Sequence, residues 1–235
     1  MATSSNNQSP RRLPHQLPAG HHGLSRTFVE ANQRERVLAA VAEAVMDMGY
    51  VATAVEDVIA CAGVSRRTFY ALFKNKEEAF LAAYDDGVER LFAAVEAAYG
   101  RGDSWTERAR HGLEAFLASL ALSPEFAHVC IVDVLAAGPT ALARRDGAMQ
   151  RFIDMVDDGR EQAPAGLLVP PMAAQTIVGG IHEVVYSRIL RGETASLPGL
   201  LPELVYSMLL PFFGQEAALT EYNALGGSVP QQQSA

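Results

Sequence analysis

The sequence predicts an all-α protein, with a small helix-turn-helix head followed by a larger helical body. Three observations carry that expectation. From residue 30 onward apolar residues recur at spacings of three and four, the period of helices with one buried face. Alternating apolar and polar residues, the mark of a half-buried strand, form no run of useful length. Finally, Gly63-Val64-Ser65 separates two short helical stretches, as the tight turn of a helix-turn-helix does. With 235 residues, 49% apolar and 20% charged, the chain has the mix of an ordinary globule.

Residues 1–24 are rich in Ser, Asn, Gln, Pro and Gly and have no apolar period, so they read as a flexible arm. Arg11 and Arg12 have the chemistry to enter a DNA minor groove from such an arm, although a solvated tail is the plainer reading. His15, His21 and His22 lack Cys or carboxylate companions, and no metal site is expected there.

Residues 25–75 read as the head. A first helix, Glu30 to Met48, carries Val37, Leu38, Val41, Val45 and Met48 at helical spacing and closes at Gly49. Thr53 and Glu56 have the spacing of a capping box, opening a helix that runs to Ala62 with Val55, Val58 and Ile59 inward. Gly63 ends that helix, and Ser65 caps a third, Arg66 to Phe73. Two turns are too short to persist alone, so packing must hold them. Asn75 and Glu78 repeat the capping pattern for a helix starting at Lys76.

Residues 76–222 read as the body, and 223–235 as a flexible tail. Leu81, Tyr84, Val88, Leu91, Phe92 and Val95 form a long stripe leaving the head. Further helices are expected at Trp105–Leu122, Phe126–Leu135 and near 141–162. Pro170 and Pro171 suit the first turn of another, continuing to Ile189. The last carries Leu200, Leu201, Leu204, Val205, Met208 and Leu209 and should end near Pro211–Gly214. The uncharged stretch from Gln162 to His182 is long enough to suggest a membrane span. Pro164, Pro170 and Pro171 break it, so it reads as a loop and a buried helix. No basic segment followed by an apolar core marks the N-terminus for export. Cys61 and Cys130 sit inside apolar patterns, as small core residues of a reduced, cytoplasmic chain.

A net charge of −8 argues against nucleic acid until its placement is considered. Residues 26–80 carry 7 basic and 8 acidic side chains, whereas residues 81–235 carry 10 and 19. The chain's two lysines, Lys74 and Lys76, fall beside the pair Arg66-Arg67. Local charge, not the total, decides whether a face can meet phosphate. Arg66, Arg67 and Thr68 fall at the first turn of the second motif helix, where recognition helices touch base edges. An arginine fork bonds guanine O6 and N7 together. Tyr70, Lys74 and Lys76 are placed to hold phosphates. A lysine at a helix N-terminus opposes the macrodipole, which an external anion at Lys76 would offset. Phe69, Leu72 and Phe73 read as core.

The stretch Gln33 to Tyr84 closely resembles the DNA-binding domain of TetR-family transcriptional regulators. Gly49-Tyr50, Thr53-Ala-Val-Glu-Asp-Val-Ile-Ala, Gly63-Val-Ser-Arg-Arg-Thr-Phe-Tyr and Phe73-Lys-Asn-Lys-Glu carry the likeness. Ala54 departs from the pattern, where the family often has a second hydroxyl. The resemblance implies a DNA-binding head, a linking helix, and a helical body that binds a small molecule and dimerises through its last two helices. It assigns Thr53, Ser65, Arg66, Arg67, Thr68, Tyr70, Lys74 and Lys76 to DNA contact. By the same analogy Phe116, Phe126, Cys130, Phe152, Met155 and His182 would line a pocket for an apolar effector. The dimer interface would fall on Val184, Val185, Val205, Met208, Leu209 and Phe212.

The function implied is a repressor that binds a palindromic operator as a homodimer and is released by a small molecule. An activator, a regulator sensing a protein partner, or a ligand-binding protein with a degenerate head are the alternatives. No phosphate loop, nucleophile elbow or metal-ligand spacing appears, so no enzyme activity, cofactor or metal is expected, and no membrane.

Overall fold

The computed structural model describes residues 25–227, and these are helical in nearly every segment. The expected arm, with Arg11, Arg12, His15, His21 and His22, lies outside the described residues, as does 228–235. Helix α1 (Arg26–Met48) starts four residues before the apolar period does, because the Ser25 hydroxyl accepts the Phe28 N–H at 3.2 Å. Helices α2 (Val55–Ala62) and α3 (Arg66–Leu72) follow, joined by Gly63, whose φ of 59° is the left-handed turn expected of it. The Ser65 hydroxyl accepts the Thr68 N–H at 3.0 Å and starts α3 as the sequence predicts. Val37, Val41 and Val45 of α1, Val58 of α2, Phe69 of α3 and Phe80 of α4 (Lys76–Tyr99) share one buried core. That core holds the short α3 in place.

The capping box before α2 differs from expectation by one residue. Thr53 is only 2% exposed, and its hydroxyl donates to the carbonyls of Gly49 (2.9 Å) and Ala44 (3.3 Å). Its hydroxyl thus closes the end of α1 instead of opening α2. Ala54 takes the cap position, with the Asp57 carboxylate accepting its N–H at 2.8 Å. Glu56, freed from capping, lies 3.0 Å from the Arg66 guanidinium. At α4 the Asn75 side chain accepts the Glu78 N–H as predicted, while Glu78 reaches back to the Lys74 N–H.

The body comprises the rest of α4, then α5 (Trp105–Leu122), α6 (Pro124–Ala127), α7 (Pro139–Asp157), α8 (Ala173–Leu190) and α9 (Leu201–Ala224). Helix α5 falls where the sequence put it. The single expected helix at 126–135 does not form. Instead α6 gives way to a π turn, His128–Val132, and a 3-10 turn, Asp133–Ala136. Pro170 and Pro171 precede α8 instead of entering its first turn, because the Arg160 guanidinium donates to the Val169 and Pro170 carbonyls and holds that segment out of the helix.

Helix α9 does not stop at Pro211–Gly214. It kinks at Gly214 (φ 80°) and resumes, because Ala218 beyond the kink is fully buried and docks the last turns on the body. The run Thr194–Ala224 is long and apolar enough to cross a membrane. Its Leu204, Val205, Met208, Leu209 and Phe212 are instead buried in the body's core.

Candidate functional site

Helix α3 is amphipathic in a way its seven residues make easy to read. Phe69 is fully buried, with Phe73 packed 5.9 Å from its ring, while Arg66, Arg67 and Tyr70 are exposed. Arg66 lies over the Tyr70 ring at 5.7 Å and pairs with Glu56 of α2, so its guanidinium is held near the surface of the motif. Ser65 and Thr68 share a hydroxyl hydrogen bond of 2.8 Å at the start of the helix. Arg36 of α1 donates to the carbonyls of Ala62 and Gly63, fastening the end of α2 to α1 where a cation suits the helix dipole. The outcome is a rigid helix start carrying two guanidinium groups and a phenol toward solvent, with Lys74 exposed beside it.

Two of the residues assigned to DNA contact have internal partners. Thr53 is buried, as above. Lys76 donates to the carbonyls of Tyr50 (2.7 Å) and Thr53 (2.8 Å), and its ammonium lies 4.3 Å from the centre of the Tyr50 ring. These acceptors explain a lysine at a helix N-terminus without an external anion, and they fasten the α1–α2 loop onto α4. The same loop is held from the body: the Asp133 carboxylate accepts the Tyr50 N–H at 2.9 Å. The other Asp133 oxygen is buried without a hydrogen bond, 3.6 Å from His128 Nδ1.

A second feature lies in the body. Between α4, α5, α7 and α8 is a cavity enclosed mainly by apolar side chains. Of the expected lining residues, Phe116, Cys130, Phe152, Met155 and His182 stand on its wall. Phe126 does not. Its ring packs on α4, in the space a side chain at Gly87 would need. The wall is otherwise largely aliphatic and aromatic, with Tyr84, Tyr99 and Arg145 adding polar groups. Burial, and after it the charge of Arg145, lowers the proton affinity of His182, so its imidazole is neutral at pH 7. Burial raises the Tyr84 phenol and the Cys130 thiol, leaving both protonated. Among the described residues, no group of three His, Cys, Asp or Glu side chains is placed to hold a metal.

The family profile described as bacterial regulatory proteins, tetR family, matches residues 37–83, from the second half of α1 through the start of α4. The chain is 26% identical over 215 residues to the HTH-type transcriptional regulator EthR of Mycolicibacterium smegmatis, covering 89% of this chain and 92% of that one. Residues 37–83 thus form a DNA-binding domain of the TetR type. A further relative, the HTH-type transcriptional activator FasR of the same organism, is 30% identical over 99 residues, or 42% of this chain and 45% of that one. The fold is shared with the transcriptional regulator FadR from Bacillus subtilis, solved in complex with stearoyl-CoA. There the TM-score is 0.65 at 19% identity, over 77% of this chain and 97% of that one. With that domain and these relatives, the chain is a DNA-binding transcriptional regulator.

In this regulator the expected dimer residues need correcting. Val185, Val205, Leu209 and Phe212 are fully buried inside one chain, and Met208 lines the cavity. Only Val184 is exposed. The sequence stripe that marked them is the inner face of α8 and α9, as helix stripes generally are. Outside, these helices present Val184, Leu190 and Leu210, with Gly179 and Gly180 open to solvent. Sequence reasoning also missed Tyr84, Tyr99 and Arg145 on the cavity wall. The α4 stripe through Tyr84, Val88 and Leu91 was legible, but a helical period does not distinguish a packed core from a cavity lining.

Proposed function

We propose that this regulator is a repressor that binds a two-fold symmetric operator as a homodimer and leaves it when a small molecule fills the body cavity. Residues 25–75 act as the reader and 76–222 as the sensor. The observation that carries this reading is the solvent face of α3, where Arg66, Arg67 and Tyr70 stand clear of the buried Phe69. Arg66 and Arg67 read base edges, and Thr68, Tyr70, Lys74 and the Ser65 end of α3 lie against phosphates. Lys76 has one ammonium proton left for a phosphate beyond its two carbonyls. Because Thr53 is buried, its part is to shape the loop. Two heads then enter successive major grooves about 34–36 Å apart. The outer faces of α8 and α9, with Val184 and Leu210, meet a second copy, where Gly179 and Gly180 allow close approach. The regulator acts in the cytoplasm, where its operator is. That a fold relative was solved with stearoyl-CoA supports an apolar-chain effector for this cavity.

Fragments of genomic DNA selected by the purified chain test this reading. The expected result is a palindromic consensus with half-sites one helical turn, or a near multiple, apart. Binding of equal strength to all fragments would sink it. Deleting the gene should raise transcription beside the operator, and a fall would make the regulator an activator.

Release needs a route from cavity to head. Cys130 and Ile131 line the cavity and belong to the π turn that leads into Asp133, whose carboxylate holds the α1–α2 loop. Such turns replace regular helical bonds and often mark functional sites. A ligand pressing on the π turn therefore shifts the loop, and Lys76 carries the shift to α4. With Asp133→Asn the side chain still offers an oxygen to Tyr50 and the head keeps its operator affinity. With Asp133→Ala that bond is lost, and the effector-induced drop in affinity should shrink about fivefold or more. Titrations of operator with and without effector measure both. An undiminished drop in the alanine variant removes Asp133 from the route.

A further inference from the structure

Among the described residues six side-chain polar atoms are buried without a hydrogen-bond partner, and two of them belong to residues on the cavity wall: Arg145 Nε and His182 Nε2. The other four lie on Asn32, Arg110, His111 and Asp133, none of which lines the cavity. A buried donor left unpaired carries a free-energy penalty, so it marks a place where a partner belongs. Arg145 is anchored on its outer side, its Nη1 lying 3.2 Å from the Asp146 carboxylate. His182 has its ring stacked alongside Tyr186. Each side chain is thus held while one nitrogen stays unpaired. Apart from Tyr84 and Tyr99 nearly all of the remaining wall is apolar, so the cavity offers a largely hydrocarbon surface with few polar groups.

We propose that the cavity takes an apolar acyl chain, and that Arg145 and His182 read its head by donating to the acyl oxygens. This deepens the proposed function and rests on its claim that the cavity is the effector site. Arg145 is the only ionised side chain on the wall, because His182 is neutral. A carboxylate is the head such a pair fits, since it accepts from both donors and meets the guanidinium charge. A thioester carbonyl offers the same acyl oxygen with less charge. Buried polar groups matched to a ligand also reject analogues that lack the matching atom, because the site's donors are then left unpaired.

Calorimetric titration of the full chain with dodecanoate, dodecanol and dodecanoyl-CoA tests this, with operator release read in parallel. Dodecanoate or dodecanoyl-CoA should bind about tenfold or more tightly than dodecanol, and which of the two is tighter tells whether the head is a free acid or a thioester. Arg145→Met and His182→Phe should each remove most of that preference while leaving dodecanol binding within about twofold. Equal binding of acid, thioester and alcohol by the unaltered chain would overturn the proposal, as would a preference that survives Arg145→Met. The Tm of each variant, taken with dodecanol bound, separates loss of reading from loss of fold. If dodecanoate binds with the expected selectivity but the operator is not released, the head-group reading stands and the release mechanism falls.

Discussion

Replacing Arg66 and Arg67 together by alanine should abolish selective operator binding while leaving the fold intact. Both guanidinium groups are exposed, and Arg66 pairs only with an equally exposed Glu56, at 68% and 60% exposure. Surface pairs of that kind contribute little to stability, so the thermal midpoint should barely move. A bidentate arginine–guanine contact is worth roughly 1–3 kcal/mol of discrimination. Two of them correspond to at least about a 30-fold loss of affinity, and the loss should fall on the operator more than on random DNA. The salt dependence separates base reading from phosphate binding. If both arginines read bases, the slope of log affinity against log salt should stay close to that of the parent chain. If they hold phosphates, it should fall by about two. Wild-type operator affinity in the double variant would refute the placement of the reader on α3.

The largest loss of stability is expected from Trp105→Ala in the body. Trp105 is 1% exposed, with its ring 5.3 Å from Phe212 and 5.5 Å from Phe213. Its indole N–H donates to the Met155 carbonyl at 3.2 Å, and its backbone N–H to Gln162 at 3.1 Å. One side chain thus ties α5 to α7 and α9. Removing so large a buried aromatic costs about 3–5 kcal/mol, from lost burial and the cavity left behind. For a chain of this size that is a fall in Tm of roughly 6–20 °C, readable by calorimetry or urea denaturation. Trp105→Phe keeps most of the ring contacts and loses the N–H, so its Tm should lie much closer to that of the parent. A change under about 1 kcal/mol in the alanine variant would show that this junction does not hold the body together.

The head was legible in the sequence because its signals are local. A glycine that must turn left-handed, hydroxyls and amides that cap the next N–H groups, and a three-residue turn each act within four positions of sequence. Gly63, Ser65 and Asn75 therefore behave as predicted, and α5 falls where its pattern placed it. Even the error at Thr53 is local in kind, because two oxygen-bearing side chains compete for one cap and tertiary burial selects Asp57. The body was less legible. A stripe of apolar residues states that a helix has a buried face, but not what covers that face.

Sequence by itself determined an all-helical chain, the motif turn, and the placing of Arg66, Arg67 and Tyr70 on the same short helix as Phe69. Tertiary structure alone decided four further things. Val185, Val205, Leu209 and Phe212 became core instead of interface, while Met208 faced the cavity. Phe126 moved to Gly87 of α4 and left the cavity wall. Arg145, which no local pattern singles out, joined His182 there. Asp133 met Tyr50 across 83 positions of chain. The reason is one of range: capping and turn bonds close within a few residues, whereas packing partners and unpaired donors are set by which helices meet, and no local pattern encodes that.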